Sequence, residues 1–176
     1  MISGEKSTLR SLEQRDASEY HKWINDPETN YWRGLYHPMS ENDAAIWVER
    51  ESHADSGRLT LGVQTLDGKF VGVIGLRGIC GRSRRAEIWI YLGDKRIWKK
   101  GIGTDAISIL CDYAFEEMNL HRIWLECDQN NIAAIRCYEK CGFRIEGTLR
   151  DGYFRHGRFR DTTIMGRLRT DKEPIR

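Results

Sequence analysis

The sequence is poor in several things, and each shortage closes off a class of protein. Only 3 of its 176 residues are proline, and no Pro/Ser-rich tract or internal repeat interrupts it. Linkers, solenoids and domain boundaries therefore leave no signal, and one domain over residues 1–176 is expected. Its core should run over about 7–170, with roughly six residues at each end dispensable. No stretch approaches the roughly 18 apolar residues that a bilayer span needs. Met1-Ile2-Ser3-Gly4-Glu5-Lys6 has no apolar leader core. The expectation is a cytoplasmic protein that does not enter a membrane.

Cysteines number five and include no C-x-x-C pair. Neither a disulfide framework nor a metal site is expected from such an odd set. Cys137 and Cys141 are placed to share a helix face, but two sulfur ligands do not make a structural zinc site. Net charge is also small: 28 basic against 26 acidic residues leave +2. That balance does not point to nucleic acid. The positives nevertheless cluster, with Lys95, Arg96, Lys99 and Lys100 in one stretch and Arg150, Arg155, Arg158 and Arg160 in another.

What is present is regular. Residues 8–12 read as a strand, and Asp16 as the N-cap of a helix to about 25 that Asp26-Pro27 ends. Residues 31–39 form an aromatic loop, and Ser40 with Asp43 resembles a capping box opening a helix to about 54. Strand runs at 58–65 and 70–79 flank the turn Leu66-Asp67-Gly68-Lys69, and 85–92 should pair with the second run. After Gly103, apolar residues at Ile107, Leu110, Cys111, Ala114, Phe115 and Met118 have the spacing of an amphipathic helix. A strand at 121–127, a helix at 131–141 stopped by Gly142, and closing strands at 143–149 and 153–168 complete the order. The class is α/β, a mixed sheet with helices against it.

The segment Trp98-Lys99-Lys100-Gly101-Ile102-Gly103-Thr104 joins a strand to this well-patterned helix. Glycines at 101 and 103 allow close approach of an anion to the helix's first free N–H groups, and the lysines add charge. It is neither a Walker loop nor a dinucleotide fingerprint. Downstream, Asn131 can cap a helix on whose face Tyr138 lies two turns on. A phenol there could protonate a departing thiolate; the plainer alternative is a core tyrosine.

The two segments together resemble the GCN5-related N-acetyltransferase (GNAT) family, in the branch of ribosomal-protein N-terminal and spermidine acetyltransferases. The match runs through Asn131, Ala134, Tyr138, Glu139, Lys140, Gly142 and Phe143, continues to Arg150, and spans essentially the whole chain. The resemblance implies a twisted, mostly antiparallel sheet of about seven strands flanked by about four helices. It implies acetyl-CoA as cofactor, with its pyrophosphate held by Trp98, Lys99, Lys100, Gly101, Ile102, Gly103 and Thr104. Trp89, Ile90, Tyr91 and Leu92 would run beside the pantetheine arm, Asn131 would touch the cofactor, and Tyr138 would be the acid. Two departures stand out: Trp98 replaces the family's Arg/Gln, and Lys99 stands where many relatives of this branch have glycine.

An attacking alkylamine, with a pKa near ~10.4, must lose a proton. Glu87 is the candidate base, the alternative being a strand glutamate paired with Arg84 or Arg85; Asp128 is a weaker candidate. Cys127 and Cys137 as nucleophiles lack a visible histidine–carboxylate pair. The acceptor, a small-molecule or peptide amine, should meet Tyr31, Trp32, Arg33 and Tyr36. Spermidine-acetylating relatives carry acidic residues after a Tyr-Trp pair where this chain has Arg33-Gly34, which argues against a polyamine. Protein N-termini, amino sugars and other small amines stay open. A non-catalytic coenzyme A-binding or protein-interaction module of the same fold is the alternative, as is a nucleic-acid binder on Arg150–Arg169. A homodimer through the final strands is implied by the resemblance alone.

Overall fold

Local chemistry starts the elements where the composition places them. Ser40 opens a helix because its Oγ accepts from the Asp43 N–H at 3.0 Å while the Asp43 carboxylate accepts from the Ser40 N–H at 3.3 Å. The computed structural model describes residues 1–33, 37–53 and 55–171. In chain order they form β1 (Ile2–Ser3), β2 (Ser7–Ser11), α1 (Ala17–Asn25), α2 (Pro27–Asn30), α3 (Glu41–Ser52), β3 (Arg58–Thr65) and β4 (Phe70–Cys80). Then come β5 (Arg85–Leu92), α4 (Ile102–Glu116), β6 (Arg122–Asp128), α5 (Ile132–Lys140), β7 (Arg144–Arg155) and β8 (Arg158–Leu168).

The strands make one eight-stranded sheet in the order β1-β2-β3-β4-β5-β6-β8-β7. Every neighbouring pair is antiparallel except β5 and β6. The described residues thus hold one strand and one helix more than about seven and about four. The extra strand is β1, and the extra helix is the single turn α2. Pro27 begins that turn, and the Asp26 carboxylate accepts from the Glu28 and Thr29 N–H groups. A proline at a first helical position costs no hydrogen bond.

Alternation along the strands sorts side chains onto two faces. Ala86 and Ile88 of β5 join the larger core beneath α4 and α5, with Ile107, Leu110, Cys111, Ala114 and Phe115 from α4. Tyr91 and Val73 face the opposite way, against Tyr20, Trp23 and Ile24 of α1 and Val48 of α3.

Three local expectations are corrected. Asp16 makes no side-chain cap for α1. Its carboxylate is used by Arg10 at 2.6 and 2.7 Å and by the Glu13 N–H at 2.9 Å. The closing hairpin turns at His156-Gly157 rather than near residue 151. His156 (φ 49°) and Gly157 (φ 75°) supply two successive left-handed residues, as a tight hairpin turn requires. The first six residues are also structural: β1 pairs with β2, and the Asp105 carboxylate on α4 accepts from the N–H groups of Glu5, Lys6 and Ser7.

Candidate active site

The sheet parts in the middle. β5 and β6 pair only at Arg85↔Arg122, Ala86↔Ile123 and Glu87↔Trp124. Beyond these positions β5 stays bonded to β4 through Leu92, and β6 to β8 through Asp128. The two strands therefore leave an open notch, with Ile88 to Leu92 along one edge and Leu125 to Asp128 along the other. Edge N–H and C=O groups are a template for another extended chain. Trp89, Ile90, Tyr91 and Leu92 all fall on that edge.

The loop after β5 is held by its own polar groups. Asp94 is only 4% exposed in its side chain and takes Arg96 at 2.9 Å and Lys69 at 2.5 Å. Its carboxyl is held well below the usual range, mostly by the Arg96 hydrogen bond and also by Lys69, against the opposing effect of burial. A depressed carboxylate contributes stability that is present above its unfolded pKa, near ~3.9, and lost as pH falls toward the folded value. Asp94→Asn should therefore lower the melting temperature at pH 7 and flatten its decline below about pH 4. Thermal melts from pH 7 to pH 3 check this; parallel curves for the two proteins would sink it.

Lys95 bonds Asp26 and Glu28, each at 2.9 Å. Half of the basic cluster is thus structural, tying α2 to this loop, and Lys99 and Lys100 are the members left for a ligand. The Trp98 indole donates to the Leu92 carbonyl at 3.0 Å, pinning the loop to the end of β5. Lys99 adopts φ 63° and Gly101 φ 86°. Gly101 is the N-cap of α4, and the first helical bond runs from the Asp105 N–H to the Gly101 carbonyl at 3.0 Å. The amides of Ile102, Gly103 and Thr104 precede that ladder, as a helix N-terminus dictates.

Lys99 thus keeps a conformation suited to glycine, at a cost of about 1 kcal/mol or more. Lys99→Gly should leave the melting temperature unchanged or slightly higher, since strain relief offsets the added chain entropy of roughly 0.4–1 kcal/mol. Acetyl-CoA affinity at low salt should fall severalfold with the lost charge. A clear drop in melting temperature would show that the side chain, not the turn, matters there.

Asn131 caps α5, its Oδ1 accepting from the Ala134 N–H at 3.2 Å. Tyr138 is buried on α5, its ring edge-on to Phe143 at 6.0 Å. Burial raises the phenol well above its ordinary value, so it is protonated at neutral pH. Cys127 and Cys137 both bear on it electrostatically. Cys127 is pushed up to about 12 by burial and is no ready nucleophile. Cys137 contacts Thr104 Oγ1 at 3.3 Å, and hydrogen bonds from Cys141 and Thr104 lower its thiol. That contact seats α5 against the first turn of α4.

Glu87 is paired with Arg77, its cross-strand neighbour, and not with Arg84 or Arg85. Arg84 bonds Asn119 instead. The β4–β5 register sets this pair, and only that register could have revealed it in advance. Asp128 sits at the far lip of the notch, its Oδ1 accepting from the Asn130 N–H at 2.9 Å, with Arg160 3.9 Å from Oδ2.

Of the expected acceptor residues, Tyr31, Trp32 and Arg33 lie together, and Tyr36 falls outside the described residues. Tyr31 stacks on His156 at 4.6 Å, and Arg155 donates to the Tyr31 carbonyl at 3.0 Å. The β7–β8 hairpin tip thus backs the loop. Arg33 reaches over Tyr91 of β5, its guanidinium 4.9 Å from the ring centroid. The turn at 98–104 and the Tyr31–Arg33 segment lie on opposite faces of the sheet, with the notch between them.

Comparison with known proteins fits this arrangement. The family model described as an acetyltransferase (GNAT) domain matches residues 6–144. A spermidine N(1)-acetyltransferase of Escherichia coli (strain K12) is 31% identical, covering 94% of this chain and 87% of its own length. YdaF of Bacillus subtilis (strain 168), whose name assigns it provisionally to ribosomal N-acetylation, is 29% identical over 96% of this chain and 94% of its own. A crystal structure of spermidine N-acetyltransferase from Vibrio cholerae with CoA and spermine superposes with a TM-score of 0.85 at 27% identity. It covers 94% of this chain and 96% of that one.

Proposed function

The chain belongs to the GNAT acetyltransferase family, and from that premise we propose how its residues divide the work of acetyl-CoA-dependent N-acetylation of an amine. The observation that carries the reading is the notch, whose open β5 edge leads directly to the first turn of α4. Bound there, acetyl-CoA supplies an activated thioester. The amides of Ile102, Gly103 and Thr104, with Lys99 and Lys100, hold its pyrophosphate, and Trp98 and Gly101 shape the turn. The backbone from Trp89 through Ile90 and Tyr91 to Leu92 pairs with the pantetheine arm and orients the thioester carbonyl. Asn131 positions α5 beside it.

The acceptor enters from the α1–α3 face past Tyr31, Trp32 and Arg33. Its neutral amine forms the new C–N bond as the C–S bond breaks, and Tyr138 gives a proton to the leaving sulfur. Glu87 is held by its ion pair with Arg77. Glu87 therefore orients the ammonium or a water near the thioester, and the amine's proton leaves through water.

The acceptor is an amine, with a protein N-terminus, an amino sugar and a small free amine as its classes. We further place the protein in the cytoplasm, consistent with free cysteines and with no described helix long and apolar enough to cross a membrane. The exposed Ile145, Leu149 and Phe159 on the β7–β8 hairpin support a homodimer through that edge. The arginines Arg155 and Arg160 are turned to protein partners, which argues against a nucleic-acid role.

Titration calorimetry with acetyl-CoA, followed by thiol release across an amine panel that includes N-terminal peptides, tests the reading. Saturable binding and acceptor-dependent thiol release are expected. Binding without turnover of any amine would instead favour a coenzyme A-binding module.

A further inference from the structure

The acceptor face of β5 carries an aromatic cage. Tyr20 of α1 and Trp47 of α3 stack with centroids 4.1 Å apart, and Tyr91 meets Tyr20 edge-on at 6.3 Å. Trp89 closes the side against Trp47 at 6.5 Å. Such a cage attracts a cation, and the chain fills it with its own. The Arg33 guanidinium carbon lies 4.9 Å from the Tyr91 centroid, 5.4 Å from Tyr20 and 5.8 Å from Trp47.

Arg33 has no carboxylate partner among the described residues, in contrast to Arg10, Arg77, Arg96 and Arg122. Its Nη1 is buried, and the group that bears on it from within the cage is the neutral Tyr20 hydroxyl. A buried guanidinium without a counter-ion is costly, and an oxygen anion relieves that cost better than any neutral group. The cage also blocks the obvious alternative, because a cationic ligand would have to displace Arg33 or lie against it.

Position gives the ligand its role. Tyr91, beneath Arg33, belongs to the stretch of β5 that has left β6, and it shares a face with Trp89 and Glu87. An anion at Arg33 would therefore sit on the acceptor side of the notch, along the strand that faces the thioester.

We infer that the acceptor amine belongs to a molecule that also carries a carboxylate, and that Arg33 in its aromatic cage binds that carboxylate. The inference rests on the acetyltransferase reading and specifies its acceptor class. A single guanidinium among uncharged aromatic rings balances one negative charge, and its planar fork matches a carboxylate. A polyamine offers the wrong sign.

The test uses amine pairs that differ only by a carboxylate: lysine against cadaverine, ornithine against putrescine, and β-alanine against ethylamine, with spermidine as the polycation. Thiol release from acetyl-CoA gives kcat/KM for each. The carboxylated member should lead its partner by tenfold or more. Arg33→Gln should abolish that lead through KM and leave acetyl-CoA affinity within twofold. Arg33→Lys, which retains charge without the fork, should keep part of the lead and guards against a variant that misfolds.

Spermidine or the diamines matching or exceeding the amino acids would overturn the inference, as would a carboxylate preference that survives Arg33→Gln. Acetyl-CoA binding with no turnover of any carboxylated amine also overturns it. Failure to bind acetyl-CoA strikes the acetyltransferase reading instead.

Discussion

Tyr138→Phe is expected to lower kcat by about 10²–10³-fold, the range general acid catalysis spans, while acetyl-CoA affinity changes less than about twofold. The hydroxyl is the only atom removed, and the ring keeps its edge-on contact with Phe143 and its place in the larger core. The fold and the cofactor loop should therefore survive. On the proposed assignment what is lost is a proton source, the buried, protonated phenol on the helix that Asn131 caps beside α4. Steady-state rates at saturating acetyl-CoA, with calorimetric titration of the same variant, make the measurement. Undiminished kcat would remove Tyr138 from the chemistry and return it to packing.

Arg10→Met should be the most damaging single change to stability, at about 3–5 kcal/mol, because it strands a buried carboxylate. The Arg10–Asp16 pair is two-pronged, with side chains 9% and 3% exposed. Arg10 also donates to the Ser11 carbonyl at 2.8 Å and lies 5.3 Å from the Phe70 centroid. The pair fixes the corner between β2 and α1, which sets where α1 lands on the sheet. For a chain of this size the loss corresponds to a fall of roughly 6–20 °C in melting temperature. Adding Asp16→Asn should recover part of it by removing the uncompensated charge. A single-variant loss below about 1 kcal/mol would mean that water reaches the site and screens the pair.

Periodic and capping signals were legible because their causes lie within a few residues. The α4 spacing picked out Ile107, Leu110, Cys111, Ala114, Phe115 and Met118; the first five are buried, while Met118 lies past the helix end at Glu116 and is half-buried against the same core. The Ser40–Asp43 box and the Asn131 cap lie where local chemistry placed them. Features that depend on distant partners were not legible. The acceptor of the Glu5, Lys6 and Ser7 N–H groups lies about 100 positions away, on Asp105. Asp16 reads locally as a cap because nothing nearby announces that Arg10 will claim it.

Asp151-Gly152 illustrates a signal with two meanings, since turns and bulges use the same residues. Here the Asp151 N–H donates to Asp161 Oδ1 at 2.9 Å, and β7 continues through a shift in register. At the site, the loop and the tyrosine helix could be read from spacing and the resemblance they carry. The aromatic cage could not, because it draws its members from α1, α3 and β5, far apart in the chain.

The parting of β5 from β6 also makes the fold's durability a matter of supply. A ligand whose amides and carbonyls occupy the notch adds a rung that the sheet lacks on its own. It is bound by the native chain and not by the unfolded one. By mass action, acetyl-CoA at a hundred times its Kd would add about 2.7 kcal/mol to the unfolding free energy. A cell that exhausts its acetyl-CoA would then hold this protein nearer its melting point, and turnover by proteases would follow the metabolic state.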